Sequence, residues 1–92
     1  MVNISFLIAT YNNEKKIFQT INSASKACIK SKVKYEIIIV DDCSKDNTFE
    51  KLRNYKKNKY FKVYKNRINS GFSKSIFYAA TKAKGKNIKI LH

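Results

Sequence analysis

Three short segments of the chain carry residue types that could bind a nucleotide. Tyr11 offers an aromatic face that can stack on a planar base, and the carboxylates Asp41 and Asp42 can accept hydrogen bonds from an imide, an amino group or a ribose hydroxyl. Two adjacent like charges at the end of an apolar run are costly unless something there uses them. Gly71 and Lys74 could contact a phosphate, because they flank the start of a predicted helix, and the amino end of a helix attracts anions.

Several of these residues also have a structural interpretation. Tyr11 could pack at the rim of a pocket, Gly71 could be an ordinary turn glycine, and Lys74 could be a solvated surface lysine. The spacing around Gly71 is not that of a P-loop. Four polar residues after Asp42 are expected to make helix-cap or turn bonds rather than ligand contacts: Ser44, Asp46, Asn47 and Thr48.

The elements that must position these residues follow an α/β order. Four β-like runs, at residues 4–9, 35–40, 61–64 and 87–91, alternate with three helix-like stretches. The first two runs are continuously apolar, which is typical of central strands covered on both faces. The order β-α-β-α-β-α-β predicts right-handed crossovers and an open, mostly parallel, Rossmann-like sheet. In such sheets ligands bind at the carboxyl ends of the strands, where the first two segments lie.

The three predicted helices have recognisable ends. The first covers about residues 13–30 and could be capped by Asn12 or Asn13, and the second follows Asp46 or Asn47. The third runs from about residue 72 to 84, with Gly85 as its stop signal. Its predicted buried face consists of Phe72, Ile76, Ala79, Ala80 and Ala83.

The 92 residues carry 20 Lys and Arg against 6 Asp and Glu, a net charge of +14. Residues 51–92 contain 13 of the basic residues and no acid, so nearly all of the excess lies there. Such a field attracts nucleic acid, anionic lipid or a phosphorylated small molecule, although it could equally be a solvated lysine-rich surface. The hydrophobic share of 43% indicates that the chain folds, and its length of 92 residues allows at most one domain.

The cysteine content and the apolar runs suggest a compartment. Cys28 and Cys43 are too few for a disulfide framework or a zinc site. The first residues lack a signal-peptide pattern, and no apolar run approaches the roughly 18 residues that span a bilayer. We therefore expect a reduced, cytoplasmic chain, with the cytosolic face of a membrane as a further expected location.

Four segments, in this order, resemble the start of family-2 glycosyltransferases, whose catalytic domain has the GT-A fold. They are residues 5–14, 35–48, 69–74 and 80–91, which read SFLIATYNNE, YEIIIVDDCSKDNT, NSGFSK and ATKAKGKNIKIL. The hydrophobic run into Asp-Asp-x-Ser-x-Asp-x-Thr is the most specific of them. The resemblance covers essentially the whole chain and implies that residues 1–92 form the nucleotide-sugar-binding half of a GT-A domain.

The resemblance implies a role for each matching residue. Tyr11 would stack on the base of the donor, usually uracil, in a pocket lined by Ala9 and Thr10. Asp42 would accept the imide N–H of the base, and Asp41 would brace the loop. A further acidic position near the nucleoside corresponds to Glu14. The segment that passes near the diphosphate contains Gly71 and Lys74.

The resemblance also implies what these 92 residues lack. The metal-binding Asp-x-Asp motif of the family would follow directly after Leu91, and the catalytic base would come much later. A divalent metal, Mn²⁺ or Mg²⁺, is expected for the full-length enzyme and none for this segment. We expect an inverting enzyme that uses a UDP-sugar and a glycan or lipid-linked acceptor in polysaccharide synthesis. The 92 residues alone are expected to transfer no sugar, and an exposed sheet edge could drive self-association.

Two other classes of function are considered. The first is a basic nucleic-acid-binding module, in which Tyr55, Tyr60, Phe61 and Tyr64 would stack on bases among the lysines. No RNP-type, helix-turn-helix or zinc signature supports it. The second is a receiver-like signalling domain, but that would require its acidic pair after the first strand rather than the second. The order of the motifs therefore favours the glycosyltransferase.

Overall fold

A computed structural model describes residues 1–91 as a four-stranded sheet flanked by helices on both faces. The strands are β1 (Ile4–Thr10), β2 (Tyr35–Asp41), β3 (Phe61–Lys65) and β4 (Asn87–Leu91). The helices are α1 (Ile17–Ser31), α2 (Thr48–Leu52) and α3 (Phe72–Lys82). A 3₁₀ turn, Arg53–Lys57, continues from α2. The predicted order of elements is confirmed.

All strand pairs are parallel, and the strand order across the sheet is β3-β2-β1-β4. The two continuously apolar runs, β1 and β2, are the central strands, as their composition predicts. Thr10 pairs in register with Asp41, and Asp41 pairs with Lys65, so three strands end at the same edge of the sheet. This carboxyl edge brings together the loops that follow β1, β2 and β3, which we call the first, second and third loops.

Side chains alternate between two hydrophobic cores, because successive residues of a strand face opposite sides. On one side, Phe6, Ile8, Ile37 and Ile39 pack against α1, α2 and the 3₁₀ turn. On the other side, Leu7, Ile38 and Val40 pack against α3 through Ala79. The sheet is therefore covered on both faces, which fixes the direction in which every residue at its carboxyl edge points.

Two expectations about helix ends are wrong. The helix α1 begins at Ile17 and has no side-chain cap, because the side chain of Asn12 bonds a different loop. Gly85 does not end α3, which stops at Lys82; Gly85 instead lies where the backbone passes close to β1. Phe72, expected on the buried face of α3, is 46% exposed, while Ser75 is fully buried there.

A polar network closes the opposite, amino end of the sheet. The Ser5 hydroxyl donates to Glu36 Oε2 at 2.6 Å and accepts from the N–H of Gly85 at 2.8 Å. Glu36 Oε2 also accepts from the N–H of Lys84 at 2.6 Å, and Lys62 Nζ lies 2.9 Å from Glu36 Oε1. Burial would raise the pKa of Glu36, but these bonds and the Lys62 charge outweigh it and lower that pKa. The network fastens the α3–β4 connection to the sheet.

The edge strand β4 carries exposed apolar side chains on the α3 side of the sheet. Ile88 and Ile90 are exposed, and Phe77 on α3 is 73% exposed. Within residues 1–91, no helix is long and apolar enough to cross a membrane.

Candidate functional site

The loops at the carboxyl edge are tied to one another by polar contacts. Asn12, in the left-handed region at φ +47°, accepts the N–H of Lys45 on its Oδ1 at 2.8 Å and donates its own N–H to Ser44 Oγ at 2.9 Å. The N–H of Asn13 bonds Thr48 Oγ1 at 2.9 Å. Asparagine tolerates the left-handed conformation better than most residues. The first loop is thus held against the second.

The second loop is organised by Asp41, whose side chain points to the α1 and α2 side of the sheet. Its carboxylate accepts the N–H of Ser44 at 2.9 Å and the Ser44 hydroxyl, and Asp41 is fully buried. Asp46 accepts the N–H and hydroxyl of Thr48 at the start of α2, which holds the pKa of Asp46 below its ordinary value. The expected turn and cap bonds of Ser44, Asp46 and Thr48 are present, whereas Asn47 occupies the N-cap position of α2 without a side-chain cap bond.

The third loop is organised by Asp42, whose side chain points to the α3 side. Its Oδ1 accepts from Ser70 N at 2.7 Å and Asn66 Nδ2 at 2.9 Å, and its Oδ2 accepts from Gly71 N at 2.8 Å. Asp42 is 5% exposed. Burial would raise its pKa, but the hydrogen bonds from Ser70, Asn66 and Gly71 outweigh that effect and lower the pKa. Asp42 is therefore a charged anchor for the loop before α3.

This geometry changes the interpretation of two predicted residues. The resemblance gives the bracing role to Asp41 and base recognition to Asp42, but in the structure both carboxylates brace a loop. The N–H of Gly71, expected to face a phosphate, is donated to Asp42. Gly71 has φ +94°, a conformation that side chains other than glycine rarely adopt, so its visible role is to shape the loop. Base and phosphate contacts of these residues stay predictions.

The first loop contributes the exposed part of the site. Tyr11 is 43% exposed, so part of the residue is open to solvent beside the anchored loops. Ala9 is half-buried, and Thr10 is 4% exposed with a hydroxyl that has no hydrogen-bond partner among the described residues. A buried hydroxyl without a partner is rare and costs free energy. Thr10 is the last residue of β1, so this buried hydroxyl lies at the carboxyl edge of the sheet.

The other two predicted residues lie at the periphery of the site. Glu14 pairs with Lys51, with 3.3 Å between Oε2 and Nζ, so it joins the first loop to α2. Lys74 is exposed in the first turn of α3. The structure brings the segments around Tyr11, Asp41 and Asp42 to one edge, as the sequence predicts. It also places Gly71 beside Asp42 at that edge.

Two contacts of the site were not anticipated. Asn66, the residue directly after β3, bonds both Asp42 and the buried Ser75 hydroxyl. Cys43, at φ +62°, donates its thiol to the carbonyl of Arg67 at 3.4 Å. The position of Asn66, a polar residue directly after a strand, was the sequence signal that could have indicated a role at this edge. Nothing in the sequence indicated the left-handed conformation of Cys43.

Comparison with known proteins decides the family. The model of glycosyl transferase family 2 matches residues 5–92, which is nearly the whole chain. The chain belongs to glycosyltransferase family 2. Its four-stranded parallel sheet and flanking helices are the GT-A arrangement of that family.

The curated relatives of this family-2 chain include two kinds of bacterial enzyme. The poly(ribitol-phosphate) β-N-acetylglucosaminyltransferase TarS of Staphylococcus aureus is 37% identical over 71 residues, which are 77% of this chain and 12% of TarS. The poly-β-1,6-N-acetyl-D-glucosamine synthase of Staphylococcus epidermidis is 40% identical over 68 residues, 74% of this chain and 16% of that enzyme. The chain thus spans less than a fifth of the length of either relative.

Solved structures show the same fold. The crystal structure of S. aureus TarS 1–349 in complex with UDP-GlcNAc superposes with a TM-score of 0.83 and 32% identity, over 98% of this chain and 26% of that chain. A mannosyltransferase from Pyrobaculum calidifontis, in complex with GDP-Man and Mn²⁺, superposes with a TM-score of 0.79 over 94% of this chain and 26% of that chain. At 18% identity, the latter supports the fold alone.

Residues 1–91, which the structure describes, do not form a site for the divalent metal that the family implies. Among residues 1–91, no group of three or more His, Cys, Asp or Glu side chains is placed to hold a metal ion. Asp41 and Asp42 point to opposite sides of the sheet, and each is engaged with its own loop. Oxygen ligands for Mn²⁺ or Mg²⁺ would have to come from elsewhere.

The acids of the described residues are all engaged in contacts with the protein. Each has a hydrogen-bond or ion-pair partner: Glu14 with Lys51, Glu36 with Lys62, Asp41 with Ser44, Asp42 with Gly71, Asp46 with Thr48 and Glu50 with Arg53. A general base must reach the acceptor hydroxyl in the transition state. In the structure these carboxylates serve the protein's own contacts, and the base of the reaction stays a prediction for residues elsewhere.

Proposed function

We propose that the chain forms the nucleotide-binding part of an inverting glycosyltransferase that uses UDP-GlcNAc or a closely related UDP-sugar. The observation that carries the proposal is the superposition of 98% of the chain on TarS bound to UDP-GlcNAc, at 32% identity. The two kinds of curated relative both have N-acetylglucosamine in their names, which supports a hexosyltransferase. Residues 1–92 would be the first half of the GT-A domain of a longer protein.

The donor base would stack on the exposed ring of Tyr11, with Ala9 and the Thr10 hydroxyl lining the pocket. Stacking on an aromatic side chain contributes about 1–3 kcal/mol per base. Asp41 and Asp42 would hold the second and third loops in the shape that the nucleotide requires. Asp42 would also accept the imide N–H, since three hydrogen bonds leave its carboxylate with further acceptor capacity. Glu14 would lie near the nucleoside, and Lys74 would face the diphosphate.

The reaction itself would depend on groups outside the described residues. A divalent metal would neutralise the leaving diphosphate, and a carboxylate would deprotonate the acceptor hydroxyl. The acceptor would be a glycan or a lipid-linked sugar in a polysaccharide pathway. We also propose a cytoplasmic location, which agrees with the two free cysteines. Association with an anionic membrane surface, and self-association through the β4 edge, stay predictions.

A calorimetric titration of the chain with UDP-GlcNAc, UDP and GDP tests the proposal. We expect saturable binding of both uridine nucleotides, weaker binding of GDP, and a loss of about tenfold in affinity with Tyr11→Ala. Tyr60→Ala is the matched control, because Tyr60 is similarly exposed but lies at the start of β3. Equal affinity for all three nucleotides, or equal effects of the two substitutions, would contradict the proposal.

A further inference from the structure

One basic surface of the protein is built in a way that the nucleotide site does not explain. It surrounds the edge strand β3 and is defined by three lysines, Lys56, Lys65 and Lys82, each seated over aromatic rings. The ammonium groups of Lys56 and Lys65 lie 5.3 and 5.1 Å from the centre of the Phe49 ring. We call these lysines and the rings beneath them the β3-edge surface.

The other face of the same strand repeats the arrangement. Lys82 Nζ lies 5.5 Å from the centre of the Tyr64 ring and 5.4 Å from that of Tyr78, and the two rings meet edge to face at 5.5 Å. Cation–π contacts of this kind hold an ammonium group at about 0.5–1 kcal/mol while leaving its N–H donors in solvent. The lysines on both faces are thus positioned, but not neutralised.

Acidic groups near this surface are already paired. Glu36 is paired with Lys62 at 2.9 Å, so neither contributes a free charge. Glu50 is paired with Arg53 at 3.2 Å, and both are exposed. Residues 51–91 contain no Asp or Glu. The net field of the β3-edge surface is therefore positive and attracts an anionic partner.

The aromatic rings identify the kind of anion. Proteins that bind single-stranded nucleic acid offer open aromatic faces on which bases stack. Here Tyr60 is stacked on Tyr35 at 5.0 Å, and Tyr55 packs against Phe18 and Phe61. Tyr64 is covered by Tyr78 and Lys82, and Phe61 is buried. Tyr60 and Tyr78 are 39% and 40% exposed, but a lysine ammonium lies over each ring, Lys59 at 5.3 Å and Lys82 at 5.4 Å. The surface therefore offers ammonium groups more than open stacking faces, which fits phosphates carried by a non-aromatic chain.

The position of the surface relates it to the reaction. Lys65 is the last residue of β3 and pairs in register with Asp41, so the surface ends at the carboxyl edge beside the candidate site. A linear polymer bound along β3 would reach the edge where the donor is proposed to bind. Two of the curated relatives, TarS and TarP of S. aureus, are named for poly(ribitol-phosphate), a chain of this chemistry.

We propose that the β3-edge surface binds a linear polyol-phosphate polymer, which would be the acceptor of the glycosyltransferase in place of the glycan or lipid-linked sugar that the family resemblance implies. The inference rests on the proposed function for the acceptor role, but binding of the polymer can be measured without any sugar transfer. The competing explanation is that lysines beside an edge strand prevent strand pairing between molecules. That explanation requires no preference for any polyanion.

The experiment measures binding of fluorescently labelled poly(ribitol phosphate) to the chain over a series of salt concentrations. In the β3-edge variant, Lys56→Gln, Lys65→Gln and Lys82→Gln are combined. We expect its affinity for the polymer to fall about tenfold or more, and the slope of log affinity against log salt to become shallower by about 2. The corresponding triple substitution to Arg keeps the charges and should restore binding.

A control variant removes the same charge elsewhere. It combines Lys26→Gln and Lys30→Gln, at exposed positions of α1, with Lys86→Gln, at the exposed residue directly before β4. All three positions are away from β3. We expect this variant to bind the polymer with less than about a threefold loss. An equal loss in both triple variants would overturn the proposal, because net charge alone would then explain binding.

Two further probes distinguish the partner. Oligo(dT) presents phosphates on a nucleic acid, and vesicles containing phosphatidylglycerol present phosphates on a membrane surface. Tighter binding of either probe than of poly(ribitol phosphate), with the same sensitivity to the β3-edge substitutions, would overturn the proposal. UDP binding should be unchanged in the β3-edge variant, whereas Tyr11→Ala should weaken UDP binding and leave polymer binding intact. Failure of the polymer proposal and failure of the nucleotide proposal are therefore separable.

Discussion

Asp42 provides the sharpest test of how the site is built. Asp42 is 5% exposed, and its carboxylate accepts three hydrogen bonds from the third loop, two of them from the backbone N–H groups of Ser70 and Gly71. Asp42→Asn keeps the shape of the side chain but places an NH₂ group where a carboxylate oxygen accepted a hydrogen bond. At least one N–H donor then loses its acceptor, and the remaining bonds lose the help of the negative charge.

The size of the effect follows from the bonds that are lost. A hydrogen bond to a charged group contributes about 1.5–3 kcal/mol, and a buried donor left without a partner costs about 1–3 kcal/mol. We expect Asp42→Asn to lower the free energy of unfolding by about 2–4 kcal/mol. Stability of a domain this size is about 5–14 kcal/mol, so the loss is readily measured.

The effect should depend on pH in a defined direction. The folded-state pKa of Asp42 lies below its ordinary value of 3.8, so its stabilisation is fully present above that value. It is lost as the pH falls through the folded-state pKa, where the wild-type carboxyl becomes protonated as well. The difference between wild type and Asp42→Asn should therefore be largest near neutral pH and shrink below about pH 4.

Urea denaturation followed by circular dichroism, at neutral and acidic pH, measures both quantities. Glu50→Gln is the matched control, because it also removes one negative charge but from an exposed ion pair with Arg53. We expect Glu50→Gln to change the free energy of unfolding by less than about 0.5 kcal/mol. A difference below about 0.5 kcal/mol for Asp42→Asn, or one that does not change with pH, would refute the role of Asp42 as a charged anchor.

Four further predictions concern the rest of the chain. Gly85→Ala should destabilise by about 1–3 kcal/mol in urea unfolding, because a Cβ there would lie 2.6 Å from the Ser5 hydroxyl oxygen. Gly71→Ala meets no atom within 4 Å and should cost about 1–3 kcal/mol through its backbone conformation alone, φ +94° and ψ 164°, which is essentially restricted to glycine. Glu36→Gln should lower the unfolding free energy at neutral pH and have a smaller effect below about pH 4, since the Glu36 pKa is lowered in the fold; a pH-independent effect would argue against this network. Ile88→Lys combined with Ile90→Lys should shift any oligomer toward monomer in size-exclusion chromatography, and an unchanged elution volume of an oligomer would argue against association through β4. The chain with UDP-GlcNAc and Mn²⁺ should transfer no sugar to an acceptor, and robust turnover would contradict the proposal that the reaction depends on groups outside residues 1–92.

The sheet and its central strands could be predicted because the signal is local. The continuous apolar runs before Thr10 and Asp41 indicate strands covered on both faces, and the helical spacing between them indicates crossovers. The expected meeting of Tyr11 with the two aspartates at one edge follows from parallel strands alone. The family resemblance adds roles for these residues, but not their hydrogen bonds.

What the sequence did not predict depends on contacts between distant segments. Asn12 is a residue type that often caps a helix. Its side-chain oxygen instead accepts the N–H of Lys45 in the loop after β2, so α1 begins without that cap. Gly85 follows a helix and suggests a stop signal, whereas its importance is the close approach to Ser5, 80 residues away. Asp42 lies beside Asp41 in sequence, but only the pleat of β2 shows that the two carboxylates serve different loops.

Backbone amide chemical-shift mapping of the ¹⁵N-labelled chain during a UDP titration tests the central claim most directly. We predict that the amides which shift are those of the three loops at the carboxyl edge, around Tyr11, Cys43 and Ser70, and that they shift together with one dissociation constant. The amides around Lys56 and Lys82 should stay in place. Shifts spread over the basic surface instead, or no saturable shift in the three loops, would contradict a nucleotide site at this edge.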